Sequence, residues 1–544
     1  MSYGLSPSIE INEKDFLVGR RQVANRFAGT VGNFNWGEVG KKVLIRDEKD
    51  LVEVFHDPDD NNFADWYCVN NYNAYNDKLW VVRAIKEVGS DNAGICITKT
   101  GTNTPYAELR KNLDHEIVPS FDENEKFKFL AKYPGEFGNK LSVAMATDTD
   151  FPTAEVVSSG AKFKDLFEYA PATDEVALVV LLNEMIVERF IVSLKEGHKN
   201  FRGEVNYIEQ YIERKSRYIY AYDNKSEEDY DSFEAVDLAG GAHVAPTASD
   251  YNAAFNEFKN ADEVELDVLF IGGAINVTDS HTVVQHVIDN ILEKRKDIRF
   301  VFDMPTIDLK VPTIDGKRDA AIDFVATDVL KNSSYAAYYP DAKYQFDRYN
   351  DKWRWMPING DIAGIYSIGQ AFEAPAGLNR GILKNCQKLL FNPDETLRDV
   401  LYPLGINSVS TIRNIGHVVM GQKTLLSSSS IFSRVDTRGL FILLQKNAKD
   451  VARFYKFQKN NPTERRRFVS DIEPLFRTIQ GLGGIEDYLI VCDESNNTGE
   501  VKEANEMIAD FFVKPEYSTE WIRLNFNATR ATVNFEEVVA SPII

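Results

Sequence analysis

One stretch near the middle of the chain limits the fold more than any other. Leu266-Asp267-Val268-Leu269-Phe270-Ile271 reads as a buried strand, a helical pattern follows from about His281 to Lys296, and Ile298-Arg299-Phe300-Val301-Phe302 reads as another strand. Strand, crossover helix and strand form a βαβ unit and imply a partly parallel sheet. Leu79-Trp80-Val81-Val82-Arg83-Ala84-Ile85 is also a buried-type strand, and the βαβ sequence can supply the sheet partners it needs. The intervening segment, 87–239, is then expected as an insertion whose two ends lie close together.

The remainder is patterned unevenly. Ser6 to Glu13 alternates apolar and polar residues after a proline, a strand pattern on a free chain end. A helix is expected from Asp47 to Phe55. Residues 87–130 are polar and weakly patterned, which predicts loops or a small insertion. Glu175 to Leu182 reads as a strand, and Asp223 to Asp231 as an acidic loop. Towards the C-terminus, helices are expected over Val435–Lys459 and Arg465–Gln480, then strands over Glu486–Cys492, Ile508–Val513 and Thr519–Asn527. With 544 residues there is room for several domains.

Charge and apolar runs exclude some functions. The net charge is −21, from 62 basic and 83 acidic residues. A nucleic-acid or anionic-membrane binder neutralises phosphates with Lys and Arg, so this balance argues against both. The longest apolar run, Val176 to Leu182, is far short of the roughly 20 residues a bilayer span requires, so no membrane insertion is expected. The first residues lack the charged and apolar regions of a cleaved signal. Cys68, Cys96, Cys386 and Cys492 stand far apart, which predicts small buried thiols in a reducing compartment.

Catalytic and cofactor motifs fail on spacing. Gly272-Gly273 follows a strand, but the later glycines of a dinucleotide fingerprint are missing. Gly416 to Thr424 approaches a P-loop, yet Gln422 displaces Lys423 from the phosphate register. Asp57 to Asn62 imitates a calcium loop, with Asn62 in place of the turn glycine and Cys68 where a bidentate Glu is needed. His281 and His286 are five apart and diverge around a helix. No catalytic, cofactor-binding or metal residue is assigned, and a structural rather than enzymatic role is expected.

Several segments taken in order resemble the tail sheath proteins of contractile-tailed bacteriophages. They are Leu5 to Glu10, Asn33-Phe34-Asn35-Trp36-Gly37, Asp50 to Phe55, Leu79 to Ala84, Tyr133-Pro134-Gly135-Glu136-Phe137-Gly138-Asn139, Lys343 to Asp351, Asp361 to Gly364, Ala374 to Gly381, and most of Arg434 to Glu537. The last block includes Gly483-Gly484-Ile485, Val491 to Thr498 and Leu524 to Thr529. Phe372 stands where the family often has Trp, and 87–130 is short for the family's outward insertion, so the outermost part is expected to be reduced.

The resemblance implies a mixed α+β and α/β multidomain subunit of a virion tail sheath, assembled in the host cytoplasm. Such subunits stack in six-fold rings around a tail tube and contract to drive it through the host envelope, with no cofactor. The implied partners are other copies of the chain, the tail tube protein, and baseplate and tail terminator proteins at the sheath ends. The expected organisation is a strand arm at 1–22, an α/β core at 23–86 plus 240–390, an outward strand-rich insertion at 87–239, and an inner C-terminal domain at 391–544. The arm, through Pro7, Ile9 and Ile11, is expected to pair with a neighbour's C-terminal domain. Ile508, Phe512, Ile522, Leu524 and Phe526 are expected in the strands of that intersubunit mesh.

One charge feature stands apart. Arg434 to Arg467 holds ten basic residues and three acidic ones. At about 100° per residue, Leu440, Leu444, Val451 and Phe454 fall on one side of a helix, and Lys446, Lys449, Arg453 and Lys456 on the other. That face is expected to meet an acidic surface, either the tail tube or a neighbouring subunit. Two alternatives stay open at this stage: the sheath of a phage-derived bacteriocin or secretion-like injection machine, and an α/β nucleotide-cofactor enzyme.

Overall fold

In the computed structural model, which describes residues 26–111, 119–157, 160–200, 202–225 and 230–524, the strand–helix–strand sequence lies in the middle of a six-stranded sheet. The strands run in the order Ala336–Tyr338, Arg299–Phe302, Val268–Phe270, Ala28–Gly32, Leu79–Arg83, Lys42–Ile45. The first five are parallel and the last is antiparallel to its neighbour. Both faces are covered, which is why these strands read as continuous apolar runs.

Alternation along each strand divides the core into two layers. Leu269, Phe300 and Phe302 pack with Phe255, Val283, Val287 and Ala321 from helices on one face. Val81, Val268, Phe270 and Val301 pack with Trp66, Tyr72, Ile362 and Tyr366 on the other. Each fully buried apolar side chain of this size contributes about 1.5–3 kcal/mol relative to exposure. Helices Phe63–Asn73 and Asn359–Ser367 touch at Gly360, where a Cβ would lie 2.2 Å from the Cys68 carbonyl oxygen. The expected crossover helix forms as Ser280–Val287, continues through a π-helical turn at Ile288–Leu292, and ends at Lys296 in the left-handed conformation.

Between Arg83 and Val268 the chain builds two four-stranded antiparallel sheets. One has the order Ile219–Asp223, Glu125–Ala131, Gly94–Thr98, Asn103–Pro105; the other Phe233–Asp237, Leu141–Thr147, Glu175–Leu182, Met185–Ser193. Ile95, Ile97, Phe127 and Phe129 share a core with Val143, Met145, Leu178 and Val180. The region is entered and left side by side: Asp91 and Ala242 exchange backbone hydrogen bonds, each 3.0 Å.

Three of these strands fall where loops were expected from 87 to 130. For Glu125–Ala131 the reason is buried charge. Lys126 interrupts the apolar pattern but lies inside, 2.9 Å from Asp223, and Lys128 donates to the Ser120 carbonyl at 2.6 Å. Asp223 likewise closes a strand rather than opening an acidic loop.

Residues 391–454 fold with this first unit, not with the C-terminus as the sequence grouping had it; the division falls between Phe454 and Tyr455. Hairpin strands Val409–Ile412 and Gly416–Val419 and helix Val435–Arg453 put Ile406 and Ile442 into one core layer, and Val409, Val419 and Val435 into the other.

The second unit is smaller. Asn461 accepts from the Thr463 and Glu464 amides at 3.0 and 2.9 Å and so caps helix Pro462–Gly481. Phe468, Ile472, Phe476 and Ile479 are its buried side, with Phe476 against Tyr488 and Phe511. Tyr488 and Phe511 belong to strands Ile485–Val491 and Asp510–Pro515, an antiparallel pair. The third expected strand is not seen over its described part, 519–524.

Candidate functional site

An open parallel sheet normally receives ligands at the carboxyl ends of its strands, where the strand order reverses. Here that point lies beside Ala28–Gly32 and Val268–Phe270 and opens into a cavity of about 540 Å³ lined by Asn33, Asp65, Tyr251, Gly273, Thr306 and Lys310, among others. The amides of the glycine turn, which would face a phosphate in a dinucleotide site, already have acceptors. Gly273 N–H donates to Asp65 Oδ1 at 2.9 Å and Gly272 N–H to Asn359 Oδ1 at 3.2 Å. Tyr251 donates to the other Asp65 oxygen at 2.9 Å, and Asn359 Nδ2 lies 3.0 Å from both Asp303 oxygens. Burial pushes the Asp65 carboxyl up to about 7 and that of Asp303 to about 8. The turn is an internal cross-link between sheet and helices, with the protein's own carboxylate in the phosphate's place.

The other near-motifs resolve the same way. Gly416 opens the second strand of a hairpin rather than a phosphate loop. Asp59 accepts from the Asn61 and Asn62 amides at 2.7 and 2.9 Å, and Asp60 pairs with Lys352 and Arg354.

The segments singled out by resemblance converge on buried polar nodes. Arg83 is fully buried, and its guanidinium donates to Phe34 O at 2.8 Å, Gly37 O at 2.8 Å and Pro134 O at 2.7 Å. It thereby ties together three matched segments, 33–37, 79–84 and 133–139. Burial lowers its pKa to about 9. Gly135, at φ 135°, is held where a Cβ would approach Asn35 O to 2.8 Å. Asp347 accepts from Tyr67 and Arg354 at 2.9 Å each, and Lys343 pairs with Asp361 at 2.9 Å with both side chains fully buried. These groups position backbone and have no open space in which to act on a substrate.

The C-terminal unit presents a contrasting surface. Leu489 and Phe512 are cross-strand neighbours on its two-stranded sheet, 58% and 59% exposed. Trp521, Ile522 and Leu524 follow, all largely exposed. Among the described residues, neither outer edge of this sheet has a strand partner. Ile508, expected in a strand, lies just before one: its N–H and C=O both bond the Asn497 side chain, at 2.9 and 2.8 Å.

Residues 427–529 match the family model for the phage tail sheath C-terminal domain. The tail sheath protein of Vibrio phage KVP40 is 28% identical over 673 aligned positions, covering 98% of this chain and 99% of that one. The alignment is longer than this chain, so the relative carries segments without counterpart here. The tail sheath protein of Enterobacteria phage T4 is 31% identical over 436 residues, 75% of this chain and 66% of that one.

The chain belongs to the phage tail sheath family.

A solved sheath tail protein from Listeria innocua shares the fold at a TM-score of 0.57 and 11% identity, covering 91% of this chain and 96% of that one. A sheath protein is structural rather than enzymatic, in keeping with nodes that hold backbone.

The residues assigned from sequence are scattered over both units. Pro7, Ile9, Ile11 and Phe526 lie outside the described residues, while Phe512, Ile522 and Leu524 are exposed on the C-terminal unit. The basic stripe is broken up. Its helix ends at Arg453, so Lys456 stands in the turn beyond, and Phe454, expected on the packed side, is 81% exposed. Lys446 turns inward to Asp267 at 2.7 Å and the Leu266 carbonyl, and Arg453 reaches Asp262 at 3.1 Å. Lys449 remains exposed. Arg83, Asp65 and Asn497 went unassigned. Arg83 and Asn497 sit inside matched segments, whereas nothing local marks Asp65.

Proposed function

We propose that this sheath protein polymerises as stacked six-fold rings around a tail tube and that its contraction drives the tube through the host envelope. The observation that carries the reading is the near full-length match to a phage tail sheath protein. The strand-exchange part rests on a second one: a two-stranded C-terminal sheet whose edges have no strand partner among the described residues, with Leu489 and Phe512 exposed. An exposed strand edge invites another strand, because its amides and carbonyls are otherwise satisfied only by water. In this reading the arm of one subunit, with Pro7, Ile9 and Ile11, adds to a neighbour's sheet, and Ile522, Leu524 and Phe526 belong to the same mesh. On the same reading the arm spans 1–22, the core takes 23–86 and 240–390 together with 391–454, the outward insertion is 87–239, and the inner part lies C-terminal to them. The outermost part is reduced, in keeping with the segments of the relative that lack a counterpart here.

The tail tube, baseplate and terminator proteins are the further partners proposed, with assembly in the host cytoplasm before the sheath takes its place in the virion tail. Negative-stain microscopy of the purified chain should show hollow tubes. Deleting residues 1–14 should leave folded monomers that no longer polymerise; tubes from that truncation would overturn the strand exchange.

A further inference from the structure

The hairpin whose inner face holds Lys343 and Asp347 has an outer face of the opposite character. Strands Ala342–Asp347 and Lys352–Pro357 pair antiparallel, with Lys388–Leu389 alongside. The inward positions of the first strand are polar: Lys343, Gln345 and Asp347 are buried. The outward positions of the hairpin are aromatic. Tyr344 faces Trp355, Phe346 faces Trp353, and neighbouring rings lie 4.9–5.4 Å apart. Phe346 is 41% and Trp353 47% exposed. Lys388, also exposed, holds its ammonium 4.4 Å over the Tyr344 ring and 5.4 Å over that of Trp355. A half-buried antiparallel sheet ordinarily turns its polar side to water, because exposed large apolar groups forgo their transfer energy. Here the two longer strands do the reverse, with Tyr344, Phe346, Trp353 and Trp355 outward.

We propose that this aromatic face is a docking surface for a second copy of the chain in the assembled sheath, the inference resting on the sheath reading above. The charge pattern selects the occupant. The outward positions of the three strands carry Lys388 and no carboxylate, whereas a copy of the chain presents a surface with a net charge of −21. Aromatic anchors such as Trp and Tyr dominate binding energy at interfaces. A surface on one side of a subunit meeting a different surface on the next is a heterologous contact, the kind that extends a stack instead of closing a dimer.

Two measurements on the full chain decide it. The first compares wild type with Phe346→Ser/Trp353→Ser and with Lys388→Glu, following monomer melting and then polymerisation without tubes by sedimentation and microscopy. The variants should melt within a few degrees of wild type, yet need a protein concentration at least about tenfold higher to polymerise. Unchanged polymerisation of the double variant overturns the proposal. So does normal self-polymerisation with a defect confined to assembly on purified tail tubes, which would make the tube the occupant. The second measurement needs no substitution: hydroxyl-radical labelling of Trp353 should fall several-fold on passing from wild-type monomer to tube-free polymer, and equal labelling overturns the proposal. Absence of any wild-type polymer would instead remove the sheath reading on which the inference stands.

Discussion

The two units of this chain handle unsatisfied groups in opposite ways. In the first, backbone and side-chain groups at the awkward places are paired internally: the Gly272-Gly273 amides by Asn359 and Asp65, three loop carbonyls by Arg83, and Lys343 by Asp361. In the second, a sheet of two strands has no further strand partner among the described residues and puts Leu489 and Phe512 into solvent. A body that completes itself can survive a large rearrangement of its assembly as a rigid piece. A module that leaves its sheet incomplete can be finished by another chain. Apart from the aromatic hairpin of the first unit, the contrast separates stability from connection, and substitutions should respond accordingly.

The largest expected effect lies in the body. Arg83→Met removes three hydrogen bonds and leaves three buried carbonyls without donors, at about 1–3 kcal/mol for each group left unsatisfied. Calorimetry should show the main transition shifted down by roughly 3–10 °C, from about 3–9 kcal/mol spread over a unit this large. A shift of only a degree or two would mean that Arg83 does not join the three segments. Leu489→Ser with Phe512→Ser should do the converse: nearly unchanged melting, since both groups already face water, but lost polymerisation. If that pair unfolds the chain while Arg83→Met does not, the contrast between the units fails.

These two regions also differ in how far the sequence reveals them. The parallel sheet is legible because Val268–Ile271, Phe300–Phe302 and Leu79–Val82 are apolar runs, and the helix at 48–55 because its apolar positions recur at helical spacing. The strand at 125–131 is not, because Lys126 and Lys128 look like solvent residues, and Lys126 becomes buried only through Asp223, about a hundred positions away. Helix periodicity places Leu440 and Leu444 inside correctly, but it does not reveal that the helix stops at Arg453. Asp65 is invisible for a similar reason: its role as acceptor for the glycine turn depends on Gly273, far away in sequence. Matched segments such as 133–139 were conspicuous while the chemistry they serve, a single guanidinium, was not.

A smaller effect follows from the buried carboxyls. Burial raises Asp303 from 3.8 to about 8 and Asp65 to about 7. Between the unfolded and folded values the native state holds protons that the unfolded chain has released, so the stability these groups contribute at acid pH is lost as pH rises towards 8. His56 and His243, lowered by burial to about 4, act oppositely, removing stability as pH falls below the usual imidazole range. Asp303→Asn should therefore flatten the decline of melting temperature across about pH 5 to 9. An unchanged slope would exclude Asp303 as its source.

The smallest effect tests the edge of the comparison, the helix that closes the body. Its basic face was expected to behave as one surface, so that reversing Lys446, Lys449 and Arg453 together would spare the monomer. Lys446 instead bonds Asp267 within its own chain, with only 14% of its side chain exposed, while Lys449 is exposed. Lys446→Glu sets a carboxylate against Asp267 and strands the Leu266 carbonyl, so it should lower monomer stability by about 1–2 kcal/mol. Lys449→Glu should leave melting unchanged within about 0.5 kcal/mol, as exposed surface substitutions do. A salt-dependent loss of assembly on tubes by Lys449→Glu alone would assign that lysine to an acidic partner surface. Assembly indifferent to both Lys449→Glu and salt would leave the helix as part of the body, its one inward lysine a structural ion pair.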